Sequence, residues 1–172
     1  RVSVNPPAST VDKIDQRVLF VDRENKAALL ESVLGDQSIE KALIFARTKH
    51  GANKIVKNLG RARIQADAIH GNKSQSARME ALKNFRAGKV QVLVATDIAS
   101  RGLDVDGITH VINYELPNEA ESYVHRVGRT ARAGAVGVAL SFCDAGEKGY
   151  LHQIEKTINR VVNVVEDHPY HS

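Results

Sequence analysis

Tryptophan is absent from this 172-residue chain, and cysteine and methionine occur once each. A lone Cys143 excludes an internal disulfide framework. Its place in the apolar run GVALSFC reads as a buried small hydrophobe in a reducing compartment. Aromatic residues make up only 5%, which leaves few platforms for base stacking. No run approaches the roughly 20 apolar residues of a membrane span, and no signal peptide is visible. A cytoplasmic protein with no membrane partner is expected. Phosphate cradles are missing too: GxxxxGK[ST] does not occur, and Ala87-Gly88-Lys89 lacks both the leading glycine and the trailing hydroxyl. No acidic pair follows an apolar strand as a metal-holding carboxylate would. Asp104 and Asp106 come without a His or Cys ligand set, so no metal site is expected.

What is present is a globular composition, 42% hydrophobic and 26% charged, of single-domain length. The net charge of +4 is unevenly placed. Residues 41–100 hold twelve Lys or Arg against three acids. That excess fits either lysine-rich helices facing water or a polyanion partner. Residues 1–12, RVSVNPPASTVD, read as a linker or arriving segment, which hints at a preceding domain. The domain proper is expected over 13–165, with 166–172 as a flexible tail.

Between these limits, strand-like runs alternate with helical patterns. Strands are expected at 17–21, 41–46, 66–70, 90–95, 110–114, 137–143 and 161–165. KAALLESVL (26–34) reads as a helix stopped at Gly35. Ala52, Ile55, Val56 and Leu59 share one helical face, closed by Gly60. Ser74 is a cap for a helix running through Phe85, and a further helix is expected at about 146–158. VQVLVA is apolar without alternation, as in a strand buried on both faces. The alternation predicts an α/β fold, a parallel sheet flanked by helices on both faces.

In such sheets ligands bind beyond the carboxyl ends of the strands. Arg47-Thr48-Lys49, His70-Gly71-Asn72-Lys73 and Thr96-Asp97 each follow a strand, which favours a binding edge over helix capping alone. In ATDIASRGLDVDG, Thr96 offers a hydroxyl and an amide to a nucleic-acid phosphate. Gly102 permits close backbone approach, and Asp104 suits a ribose hydroxyl. The competing reading has Asp97 or Ser100 capping a short helix and Asp104 ending a turn. HRVGRTARAG carries three arginines with no acid between His125 and Ala135. A helix ending near Gly128 leaves Arg129 and Arg132 among small neighbours. Guanidinium groups that converge there repel unless an anion lies between them, which favours phosphate over a solvated face.

These motifs resemble those of DEAD-box RNA helicases. HRVGRTAR is similar to motif VI, ATDIASRGLD to motif V and LIFARTK to motif IV, with Gln75 and Arg78 forming the QxxR element between them. Order and spacing match from about residue 14 to 160. IHGNKSQ beside FARTKHGAN is most like the bacterial RhlE-type branch. The resemblance implies the second, C-terminal RecA-like domain of an ATP-dependent enzyme. The first domain, absent from this chain, would hold ATP and Mg²⁺. Arg129 and Arg132 match arginines that reach the γ-phosphate, and Asp104 matches the residue on the ATP ribose. Arg47, Gly71, Gln75, Arg78, Thr96 and Gly102 match positions on the RNA backbone track. Arg101, His125 and Arg126 match residues that couple the closed domains. The implied partners are RNA, bound without sequence preference, and the N-terminal RecA-like domain; the isolated chain is expected to be inactive. A non-catalytic RNA-binding or protein-docking module of the same fold is the alternative, and a DNA translocase a remote one.

Overall fold

The structure is a computed structural model that describes residues 13–103, 105, 107–130 and 137–172. Strands β1 (Ile14–Phe20), β2 (Ala42–Phe45), β3 (Ala66–Ile69), β4 (Val92–Ala95), β5 (His110–Asn113), β6 (Gly137–Cys143) and β7 (Asn163–Val164) form one sheet. Their order is β3-β4-β2-β5-β6-β1-β7, and every pairing between them is parallel. Helices α1 (Lys26–Leu34), α2 (Lys49–Arg61), α3 (Gln75–Arg86), α4 (Asp97–Ser100), α5 (Ala120–Val127) and α6 (Lys148–Ile158) connect them.

The central strands read as continuous apolar runs because each of their faces is covered. In β2, Ala42 and Ile44 join a core with Leu29 and Leu30 of α1 and with Ile55 and Leu59 of α2. Leu43 and Phe45 point the other way, into a core with Leu82 and Phe85 of α3. Farther along that second face, Val18 and Ala139 meet Tyr123 and Val127 of α5 and Leu151 and Ile154 of α6. The helices therefore divide between the two faces, as the alternation predicts.

Caps set the helix starts that matter for the site. Thr48 accepts from the Gly51 amide at 3.0 Å, and Ser74 accepts from the Ala77 amide at 3.1 Å. Three edges differ from expectation. β1 starts at Ile14, three residues before the expected Arg17, because it pairs with β6 along its whole length. Its polar Gln16 is only 3% exposed and accepts the Tyr123 hydroxyl at 2.7 Å, so alternation alone could not place it. The VVNVV strand shrinks to two residues, with Val161 and Val164 exposed. Residues 166–172 do not project freely: Ser172 donates to the Phe20 carbonyl, and Tyr170 packs against the core. Truncating Phe85, wholly buried between α3 and the sheet, to alanine is expected to cost about 3–5 kcal/mol in urea unfolding of the chain.

Candidate functional site

Adjacent strand ends gather the expected backbone-contacting residues along one edge. β3, β4 and β2 are neighbours, so Gly71, Thr96 and Arg47, which follow them, stand in that spatial order. Gln75 opens α3 with its side chain exposed, and Arg78 is half-buried one turn later. Arg78 Nη2 donates to the Ala99 carbonyl at 3.2 Å, tying α3 to α4. Gly102 has φ +76, in the left-handed region where glycine is unstrained, and nothing lies within 4 Å of a would-be Cβ. Arg47 is less free than a surface arginine: its Nη2 donates to the Leu116 carbonyl at 2.8 Å and to Glu147 at 3.3 Å.

His70 shapes the loop that carries Gly71. Its Nδ1 accepts from the Asn72 amide at 3.2 Å, which leaves the proton on Nε2, 2.8 Å from Asn53 Oδ1. Burial, and then the nearby Lys73 and Lys49, lower its pKa below the ordinary 6.5. Cys143 is buried as expected. Its thiol is pushed up to about 12 by that burial and by Glu147, which leaves it unreactive.

A second grouping lies beyond the β4 end. Asp97, Ser100, Arg101, His125, Arg126 and Arg129 line a cleft of about 360 Å³. It brings together residues of ATDIASRG and HRVGR that lie nearly 30 positions apart. α5 closes at Gly128, whose amide donates to the Val124 carbonyl, and the turn that follows presents Arg129 to the cleft. Arg129 Nη1 donates to the Leu103 carbonyl at 2.8 Å. His125 and Arg101 are exposed at its mouth.

Arg126 is placed differently from these. It is 1% exposed and directed into the domain. Nε and Nη2 donate to the two carboxylate oxygens of Asp97 at 2.6 and 2.8 Å. Nη1 donates to Asn113 Oδ1 and, at 2.7 Å, to the Glu115 carbonyl. The guanidinium lies 5.1 Å from the Phe45 ring centroid. Asp97 is thus an ion-pair partner rather than only the first residue of a short helix, and no local pattern signals a partner 29 positions away. Asp104 and Arg132, expected on the ribose and the γ-phosphate, lie outside the described residues, as do Asp106 and residues 1–12. Among the described residues no His, Cys, Asp and Glu group fits a metal ion, and no helix is long and apolar enough to cross a membrane.

Comparison with known proteins gives the family. Residues 25–134 match the family described as the helicase conserved C-terminal domain. The DEAD-box ATP-dependent RNA helicase CshA of Geobacillus kaustophilus is 43% identical over 159 residues, 92% of this chain and 34% of that protein. The chain spans about a third of the length of the curated relatives it matches. The E. coli DEAD-box protein SrmB, solved bound to the regulator of ribonuclease activity A, superposes with a TM-score of 0.85 at 34% identity, covering 88% of this chain and 90% of that one. S. cerevisiae Dbp5 bound to RNA and ADP BeF3 gives 0.83 at 30% identity, covering 90% and 42%. The relatives carry the name CshA where the IHGNKSQ segment pointed to the RhlE-type branch, so the finer branch is not supported.

The His70 geometry yields a pH expectation. A depressed folded pKa contributes stability above pH 6.5 that is lost as pH falls through the folded value. His110 and His168, also lowered by burial, act in the same sense. The thermal midpoint is expected to drop between pH 7.5 and 5.5, and to drop less in His70→Gln; identical pH profiles for the two proteins would contradict the role given to His70.

With the parallel sheet, the matched family and the relatives in agreement, the chain belongs to the helicase conserved C-terminal domain family, as the RecA-like C-terminal domain of the DEAD-box RNA helicase type.

Proposed function

We propose that this domain is the C-terminal half of an ATP-dependent RNA helicase in the cytoplasm, working against an N-terminal RecA-like domain. The observation that carries the reading is the cleft itself. Basic side chains of two separate motifs, the arginines Arg101 and Arg129 with His125, line one recess beside the β4 end. The charge of that recess suits a polyphosphate presented from outside, since arginine forks match phosphate oxygens.

In this reading Arg129 and Arg132 act as fingers toward the γ-phosphate, and Asp104 accepts from the ribose. Mg²⁺, held by the N-terminal domain, neutralises phosphate charge when bound. This chain's own residues supply further stabilisation where charge develops during transfer. Arg101 and His125 line the face that meets the N-terminal domain. Arg126 serves coupling from inside, by holding Asp97 and hence the segment that carries Thr96 and Arg101.

The RNA track follows the strand ends through Arg47, Gly71, Gln75, Arg78, Thr96 and Gly102. Backbone amides, a hydroxyl and guanidinium groups recognise sugar and phosphate and carry no base code. The few aromatic residues, 5% of the chain, fit recognition without base stacking. Half a track on each domain lets closure bend a single strand, a path that a duplex does not follow. The helicase relative named CshA supports the substrate class, and the Dbp5 structure bound to RNA supports a domain of this shape on such a ligand.

The test is Arg129→Ala in the full-length protein, with RNA-stimulated ATP hydrolysis and nucleotide binding measured together. Turnover is expected to fall by about 10³-fold or more, as for other arginine fingers, while nucleotide affinity changes little. The isolated chain, lacking cradle and metal ligands, is the inactive control. Unchanged turnover in the variant removes the finger role.

A further inference from the structure

Away from the cleft, at the carboxyl ends of β1, β2, β5 and β6, lies a recess of about 460 Å³. Its floor is a carboxylate that no motif named. Glu147 closes the 3-10 turn Ala145–Glu147 after β6 and is 4% exposed. Oε1 accepts from Lys26 Nζ at 2.6 Å and from the Asp144 amide at 3.2 Å. Oε2 accepts from the Leu116 amide at 2.8 Å and from Arg47 Nη2 at 3.3 Å.

Three of those donors close local structure. Lys26, its side chain only 4% exposed, balances the charge from α1. The Asp144 amide completes a capping box, and the Leu116 amide anchors the segment after β5. Arg47 is the exception, with 42% of its side chain exposed. The same Nη2 also reaches the Leu116 carbonyl at 2.8 Å, and the guanidinium carbon lies 5.6 Å from the Tyr150 ring centroid. A planar fork whose Nη2 is held by two oxygens and whose Nη1 lies 3.8 Å from Glu115 Oε2 is restrained beside the Tyr150 ring, while part of it stays open to solvent.

An arginine has about 2 kcal/mol of rotamer entropy to lose on being fixed. Fixing it in advance removes that cost from the binding step. We infer that Glu147 is a positioning residue for RNA binding, which, charge-balanced by buried Lys26, holds the Arg47 guanidinium ready for a backbone phosphate. The inference rests on the proposed placement of Arg47 on the RNA track.

The experiment uses the full-length helicase and a single-stranded oligouridylate as probe. It reads the RNA KM, the ATPase kcat at saturating RNA and the thermal midpoint. Glu147→Gln alone leaves the buried Lys26 ammonium with only the Asp144 carboxylate, at 3.4 Å, so the variant is Lys26→Met with Glu147→Gln, which neutralises both partners of the shorter pair. The RNA KM is expected to rise about three- to tenfold, the range set by one immobilised side chain, with kcat unchanged. Arg47→Ala is expected to give a similar rise, and adding it to the neutral pair no further one. Arg47→Lys, at a half-exposed position that does not threaten folding, keeps the charge but not the fork, and is expected to match Arg47→Ala.

A wild-type RNA KM in the neutral pair, while Arg47→Ala raises it, would overturn the positioning role and leave the track reading intact. Losses that multiply in the triple variant, or an Arg47→Lys protein that binds RNA normally, would overturn it as well. An Arg47→Ala protein with unchanged RNA KM would instead overturn the placement of Arg47 on the track.

Discussion

One buried guanidinium organises the edge of this domain where the central strands end. Arg126 joins Asp97 after β4 to Asn113 and Glu115 at the end of β5, across the Phe45 ring of β2. Its donors and its ring face have partners on or just beyond three adjacent strands. A guanidinium taken out of water is tolerable only when so satisfied. Removing one partner of a buried pair typically costs about 3–5 kcal/mol; Asp97, with its side chain 39% exposed, retains water and lies toward or below the low end.

The clamp matters because of what Asp97 carries. The residue before it is Thr96, and the helix it opens ends at Ser100, followed by Arg101 and Gly102. Arg78 grips the same helix at the Ala99 carbonyl from the other side. The segment is therefore held from α3 and from α5 at once. Arg126 also lies three residues before Arg129, across the close of α5. In the proposed function this links the RNA track to the nucleotide cleft through one rigid contact, and a shift at either is felt at the other because packed interiors do not deform smoothly. In the same proposed reading Glu147 plays the parallel part for Arg47, so two points of the track, Thr96 and Arg47, each rest on an ion pair with one buried partner.

The sheet was largely legible from the chain. Runs such as VLVA, apolar on both faces, identify central strands once both faces are covered. Edges were harder. Gln16 hid the start of β1, since a buried amide bonded to Tyr123 breaks the pattern without leaving the sheet. VVNVV has strand-like composition, but pairing with β1 extends over only two residues. That Arg47, Gly71 and Thr96 share one edge was legible, because topology puts every position that follows a parallel strand there. The groups that hold them were not. Lys26 and Glu147 are 121 positions apart, and Asp97 and Arg126 29. Charge complementarity at such distances leaves no local trace, and Asp97 has an ordinary alternative as a helix opener.

The central claim is that the Arg126 clamp fixes the Thr96–Leu103 segment. Amide hydrogen exchange on the chain and on Arg126→Lys, which keeps the charge but loses the bidentate fork, tests it directly. The account predicts faster exchange across Thr96–Leu103 and around Glu115, with the amides of β1 and β6 unchanged. Equal acceleration everywhere, or none in that segment, would contradict it.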